Sequence, residues 1–301
     1  MTQEPQLLHS DATPKTLIFT VKFVFAMWFI RFLFDPIERL SDFPVHYTAP
    51  VGLMGWLPEQ LYVFAHSFVG LVIIKTAILA SCIGVWMPAT RRGAAAVGCL
   101  AIAIISHITR GFGHINHAEI SPLLVTIVLT VFMLRLPKDQ VVLPGSKTCK
   151  DSSFAMVFST LCFTLTYSLV GLARLFNGGI ELLSGPTIPN SMLQMSHHDW
   201  LLPINLSEFL IASPLLLLAL KLGTAAVTIF EICAPLCLIS RKFRYAFLAT
   251  MPGFHLGAIL IFKIDFVENV LMMILLLNLT AMLLQPSAAK VVLPFKRPAM
   301  Q

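Results

Sequence analysis

Charge is what this chain has least of. Only 12% of its 301 residues are Asp, Glu, Lys or Arg, about half the share found in soluble domains. Hydrophobic residues make up 57%, and the mean hydropathy is +0.82. Together these exclude a soluble globular domain and predict a multi-span membrane protein. Cysteine is equally sparing. Of the six, Cys82, Cys99, Cys162, Cys233 and Cys237 fall inside apolar runs and Cys149 in a basic connector. None sits where an outer disulfide would form.

Other signatures are missing as well. There is no nucleotide, haem or metal motif, no internal repeat, no low-complexity tract and no second soluble domain. His197 and His198 are adjacent, diverge on either regular backbone and have no nearby cysteine, so no metal is expected. The first apolar run follows a polar tail without a small-residue cleavage site, and so reads as a span rather than a removed signal peptide.

What is present is a series of apolar runs. Eight approach the roughly 20 residues needed to cross a bilayer: 16–34, 61–87, 93–109, 121–136, 154–175, 214–240, 245–264 and 267–284. Lysine and arginine gather in alternate connectors (Arg91-Arg92, Arg135 to Lys150, Arg241 to Arg244) and in both tails. The other connectors hold Asp35, Glu38, Glu119, Glu181, Asp199 and Asp265. This alternation predicts cytoplasmic termini, in the plasma (inner) membrane if the source is bacterial. The net charge of +6 then reflects topology, and no nucleic-acid partner is expected. The expected fold is all-α: one membrane domain over 16–285, cytoplasmic tails at 1–15 and 286–301, and a polar cavity open to the non-cytoplasmic side.

The chain is organised around residues 107–119, His-Ile-Thr-Arg-Gly-Phe-Gly-His-Ile-Asn-His-Ala-Glu. Polar groups this dense beside membrane helices each need a partner or water. His107, Arg110, His114, Asn116, His117 and Glu119 are therefore candidates for one wall of a pocket, with His198 from a later outer loop. At about 1.5 Å per helical residue, Arg31, His107, Arg110, Arg174 and Lys221 fall near the outer face. Lys22, Lys75, Glu231 and His255 fall in the inner half. There Lys22, Lys75 and Glu231 are expected to neutralise one another, with a Glu231–His255 pair as a further option.

Four segments stand in order: Asn116-His117 after the third run, Val170-Gly171-Leu172-Ala173-Arg174-Leu175 ending the fifth, Phe230-Glu231 through Pro235 in the sixth, and Phe254-His255 in the seventh. They resemble the membrane domain of vitamin K-dependent gamma-carboxylase, shared with the bacterial horizontally transferred transmembrane (HTTM) proteins. The resemblance spans about residues 22–284. It implies oxygenation of a reduced quinone by O2, with a lysine near the outer end of the fifth span as the base and a histidine in the Asn-His motif. Here His117 matches, but the lysine position holds Arg174.

Arginine stays protonated in proteins, so Arg174 suits an oxyanion and not a general base. Lys221, His107, His114 or His117 would then take the proton; His255, which could share a proton with Glu231, is a further catalytic candidate. The large outer domain with which the carboxylases bind protein substrates is not expected after the eighth run, and neither is gamma-carboxylation of proteins. The expected activity is that of a membrane oxidoreductase or oxygenase acting on a quinol or similar lipid, without metal or nucleotide. The alternative is a non-catalytic membrane helper for a small peptide, in maturation, export or immunity.

Overall fold

Helix starts are written into the sequence as capping residues, and each apolar run that follows one folds as a helix. The computed structural model describes residues 12–50, 52–111, 117–137, 146–179, 181–196, 206–262 and 267–284. Thr13 caps α1 (Pro14–Phe34) by accepting from the Thr16 amide, with proline in the first turn. Ser146 caps α6 (Lys147–Gly178) and Ser213 caps α10 (Pro214–Ile232) in the same way. Between them lie α2 (Glu59–His66), α3 (Phe68–Gly84), α4 (Arg91–Gly111), α5 (His117–Arg135), α7 (Glu181–Ser184), α8 (Thr187–Ser196) and α9 (Leu206–Ala212). Then follow α11 (Arg241–Phe262) and α12 (Val267–Leu284). No strand occurs among the described residues.

Five of these helices (α1, α4, α6, α10 and α12) are long and apolar enough to cross a membrane, or six if α2 and α3 form one bent span. The protein is an all-helical, multi-pass membrane protein.

Three runs differ from their sequence outlines, each for a local reason. The run 61–87 is broken at Ser67, whose extended backbone ends α2 and whose hydroxyl caps α3, and the two pieces bend by 77°. The run 214–240 stops as an α-helix at Ile232, because Pro235 cannot continue it; the tighter 3-10 turn Ala234–Leu238 follows. The fifth run begins earlier than its apolar stretch. Lys147 to Ser153, expected in a connector, form the first turns of a 32-residue helix.

Helix α6 is the centre of the bundle, packing against α1, α5, α10 and α12. Its buried face carries Thr160, Phe163, Thr164, Tyr167 and Gly171. Helices in a membrane lack a hydrophobic drive to associate and are joined by close packing and polar bonds. Here Thr160 meets Thr280 of α12 at 2.7 Å, and the Trp28 indole of α1 donates to Thr126 of α5 at 2.8 Å. Asn278 Nδ2 donates to Ile274 O of its own helix at 2.6 Å. The 35–58 loop folds as three short 3-10 turns, Ile37–Asp42, Val45–Tyr47 and Gly52–Trp56, lying on α3 and α4.

Candidate functional site

Tyr167, Gly171 and Arg174 recur at i, i+4 and i+7, so they share one face of α6. That face meets the end of α10. The Arg174 guanidinium bonds Glu231 and also donates to Thr228 Oγ1 at 3.3 Å. Glu231 is 2% exposed and Arg174 about one fifth, so the pair is mostly out of solvent. Both bonds leave from Nη1, which leaves Nε and Nη2 of Arg174 without a protein partner among the described residues. One helical turn or two below, Tyr167 Oη lies 2.8 Å from Nε2 of the buried His255 on α11.

Gly171 allows this approach. A Cβ there would stand 2.9 Å from the Ile232 backbone nitrogen and 3.0 Å from Glu231 Cβ. Nearby, Ser168 Oγ donates to Ile232 O at 2.8 Å. Gly171→Leu is expected to push α10 off α6 and lower stability by about 1–3 kcal/mol, read as a lower unfolding midpoint in detergent.

A second polar centre joins α1, α5 and α12. Arg31 reaches Glu119 at 2.5 Å and Glu268 at 3.6 Å, and its guanidinium lies 5.6 Å from the Trp28 ring. Thr109 Oγ1 donates to the other Glu119 oxygen at 3.4 Å. A narrow cleft of about 20 Å³ opens here among Arg31, Asp35, Ser106, Thr109 and Glu119, far below the 300–1,000 Å³ usual for ligand pockets. Beside it, the buried Nε and Nη2 atoms of Arg110 have no partner among the described residues.

On the loop side, Lys75 Nζ donates to Asp35 O at 2.8 Å and to Glu38 at 3.0 Å. A bond from its own backbone, and then Lys75, hold the Glu38 carboxyl below the ordinary range. Burial pushes Asp35 up, against the pull of Arg31. A depressed carboxyl stabilises the fold above its unfolded pKa of about 4.3. That stabilisation is lost as pH falls through the lower folded value. Glu38→Gln should therefore lower the neutral side of a melting-temperature profile slightly and shrink its fall toward acid, leaving the most acidic points nearly unchanged.

The polar residues do not sort into the two layers that residue counting suggests. Glu231, placed in the inner half with Lys22 and Lys75, pairs instead with Arg174, because Pro235 leaves it one residue from the end of α10. Lys75 belongs with Glu38 of the 35–58 loop. Lys22 stands 4.9 Å from the Trp86 ring. His255 takes Tyr167 and Glu231 takes Arg174, in place of the pair envisaged between them.

Lys221 also lies away from both centres, donating to Gly185 O at 3.0 Å. His107 holds the 35–58 loop. Its Nδ1 is 2.5 Å from Ala103 O, and its ring fills the space where a side chain on Gly52 (φ +55°) would stand. His114, Asn116 and His198 lie outside the described residues, and His117 is described only as the first residue of α5.

Counting by residue type missed Tyr167, Thr228 and Glu268 as members of these centres. Tyr167 was legible through its spacing from Gly171 and Arg174. Among the described residues no group of three or more His, Cys, Asp or Glu is arranged to hold a metal. No protein-family model, curated protein or solved structure matches the chain.

Proposed function

We propose that this chain is an eight-span membrane oxidoreductase of the carboxylase-like, HTTM class that acts on a reduced quinone or similar lipid with O2. In this reading α5 and α11, of 19 and 22 residues, cross with the five helices and the bent pair, and both termini are cytoplasmic. One observation carries the reading: three of the four motif segments converge on α6, Arg174 meeting Glu231 of α10 and His255 of α11 meeting Tyr167, which lies one turn before the α6 segment.

The roles follow from the chemistry of these groups. Arg174 holds the developing oxyanion through Nε and Nη2, with Glu231 balancing its charge. The Tyr167–His255 pair takes the quinol proton, the task that arginine cannot perform at the lysine position. The quinol loses two hydrogens, one oxygen atom enters as the epoxide, and the other leaves as water. Arg110, whose buried donors have no partner among the described residues, offers a second hold on a substrate oxygen.

A photoreactive quinone analogue, crosslinked to the purified protein and mapped by mass spectrometry, tests the location. Labelling on 167–178, 228–232 or 250–258, competed by unlabelled reduced menaquinone, is the expected result; labelling confined to other helices contradicts it.

A second reading is a non-catalytic helper for a small peptide. The engagement of Arg174 by Glu231 favours it, because the cation then serves the bundle. A peptide that copurifies with the protein, together with no quinone labelling, would select this reading.

A further inference from the structure

The end of α1 opposite Arg31 carries a feature that neither polar centre uses. A groove runs between α1 and the α3–α4 turn as two hollows of about 480 and 350 Å³ that share Ala26 and Trp86. The smaller is otherwise lined by Phe29, Ile30, Cys82 and Ile83, all apolar. The larger opens among three cations, Lys15, Lys22 and Arg91. Among the described residues none of the three pairs with a carboxylate. Lys22 has only the Trp86 ring, and Arg91 donates to Val85 O at 3.1 Å. Phe19, Ile30, Ile83 and Trp86 are exposed.

We propose that this groove binds one anionic phospholipid, its phosphate among Lys15, Lys22 and Arg91 and an acyl chain along Ala26, Phe29, Ile30 and Ile83. Charge complementarity selects the occupant. Three uncompensated cations at one end of an otherwise apolar groove match a molecule with an anionic head and a long tail. Basic pockets between membrane helices recognise such headgroups.

The dimensions agree. From Lys22 to Ile30 is about 12 Å along the helix axis, close to one leaflet of a hydrocarbon core about 30 Å thick. Lys22 is the ninth residue of α1; its long stem lets the ammonium reach toward a headgroup. A zwitterionic lipid would fill the groove but leave the three charges uncompensated.

The experiment uses the full chain in phosphatidylcholine vesicles doped with brominated phosphatidylglycerol or, at the same mole fraction, brominated phosphatidylcholine. Bromine quenches tryptophan only at contact, and the signal of Trp86 is isolated by difference from Trp86→Phe. The expected result is stronger quenching by the anionic lipid, with each cation worth about fivefold in preference, and a preference near unity in Lys15→Gln/Lys22→Gln/Arg91→Gln. Lys22→Gln alone should show an intermediate preference if the triple variant does not fold. Equal quenching by the two lipids in the unmodified protein would overturn the proposal, as would a preference that survives loss of all three cations. Abolition of the preference by inorganic phosphate, but not by chloride of equal ionic strength, would also overturn it, by showing a site for a free anion.

Discussion

Glu231→Leu is expected to cost about 3–5 kcal/mol of stability, the penalty for removing one member of a buried ion pair. The carboxylate is 2% exposed and faces Arg174 across the α6–α10 contact. Leucine replaces its volume but not its charge, so the guanidinium is left in a low-dielectric contact with only Thr228 to satisfy it. Removing both charges removes that penalty. Arg174→Met/Glu231→Leu should regain most of the loss, since apolar pairs of similar volume often match or exceed a buried salt bridge. Unfolding midpoints in detergent for the two single variants and the double give the coupling directly. Additive losses would mean the pair does not act as a unit.

Arg31→Met is expected to be at least as damaging. One guanidinium answers two carboxylates, Glu119 on α5 and Glu268 on α12. Its loss leaves two like charges beside one another and unties three helices. Arg31→Lys should recover only part of the stability, because an ammonium is a point charge and cannot present a planar fork to two acids. The same assay reads both variants. A loss below about 1 kcal/mol, the range of exposed ion pairs, would show that the cluster is open to water.

Helical class and the long apolar helices were legible because lipid contact demands continuous apolar runs, and a deficit of charge is visible in any window. Breaks inside the runs were harder to read. Ser67 looks like one polar residue in an apolar stretch until it is recognised as a cap, and Pro235 ends α10 five residues before the basic turn. Glu231, one residue from that helix end, lies level with Arg174 of α6. Depth counted at a fixed rise per residue fails wherever a helix ends early.

The candidate site was half legible. Arg174, Glu231 and His255 stand out as ionisable groups in apolar surroundings. Tyr167 does not, because its hydroxyl matters only once α11 brings His255 within 2.8 Å. Lys221 and His107 had the right residue type at the right depth, but their neighbours, Gly185 and Ala103, give them structural work.

The most direct measurement is an aerobic reaction of the detergent-purified protein with reduced menaquinone, with the lipid product weighed by mass spectrometry. The account predicts an epoxide formed by the unmodified chain, and a rate about 10²–10⁴-fold lower, the usual worth of a positioned acid or base, in folded Tyr167→Phe and His255→Gln. An epoxide formed equally well by those variants, or none from a folded protein that holds the quinol, would contradict it.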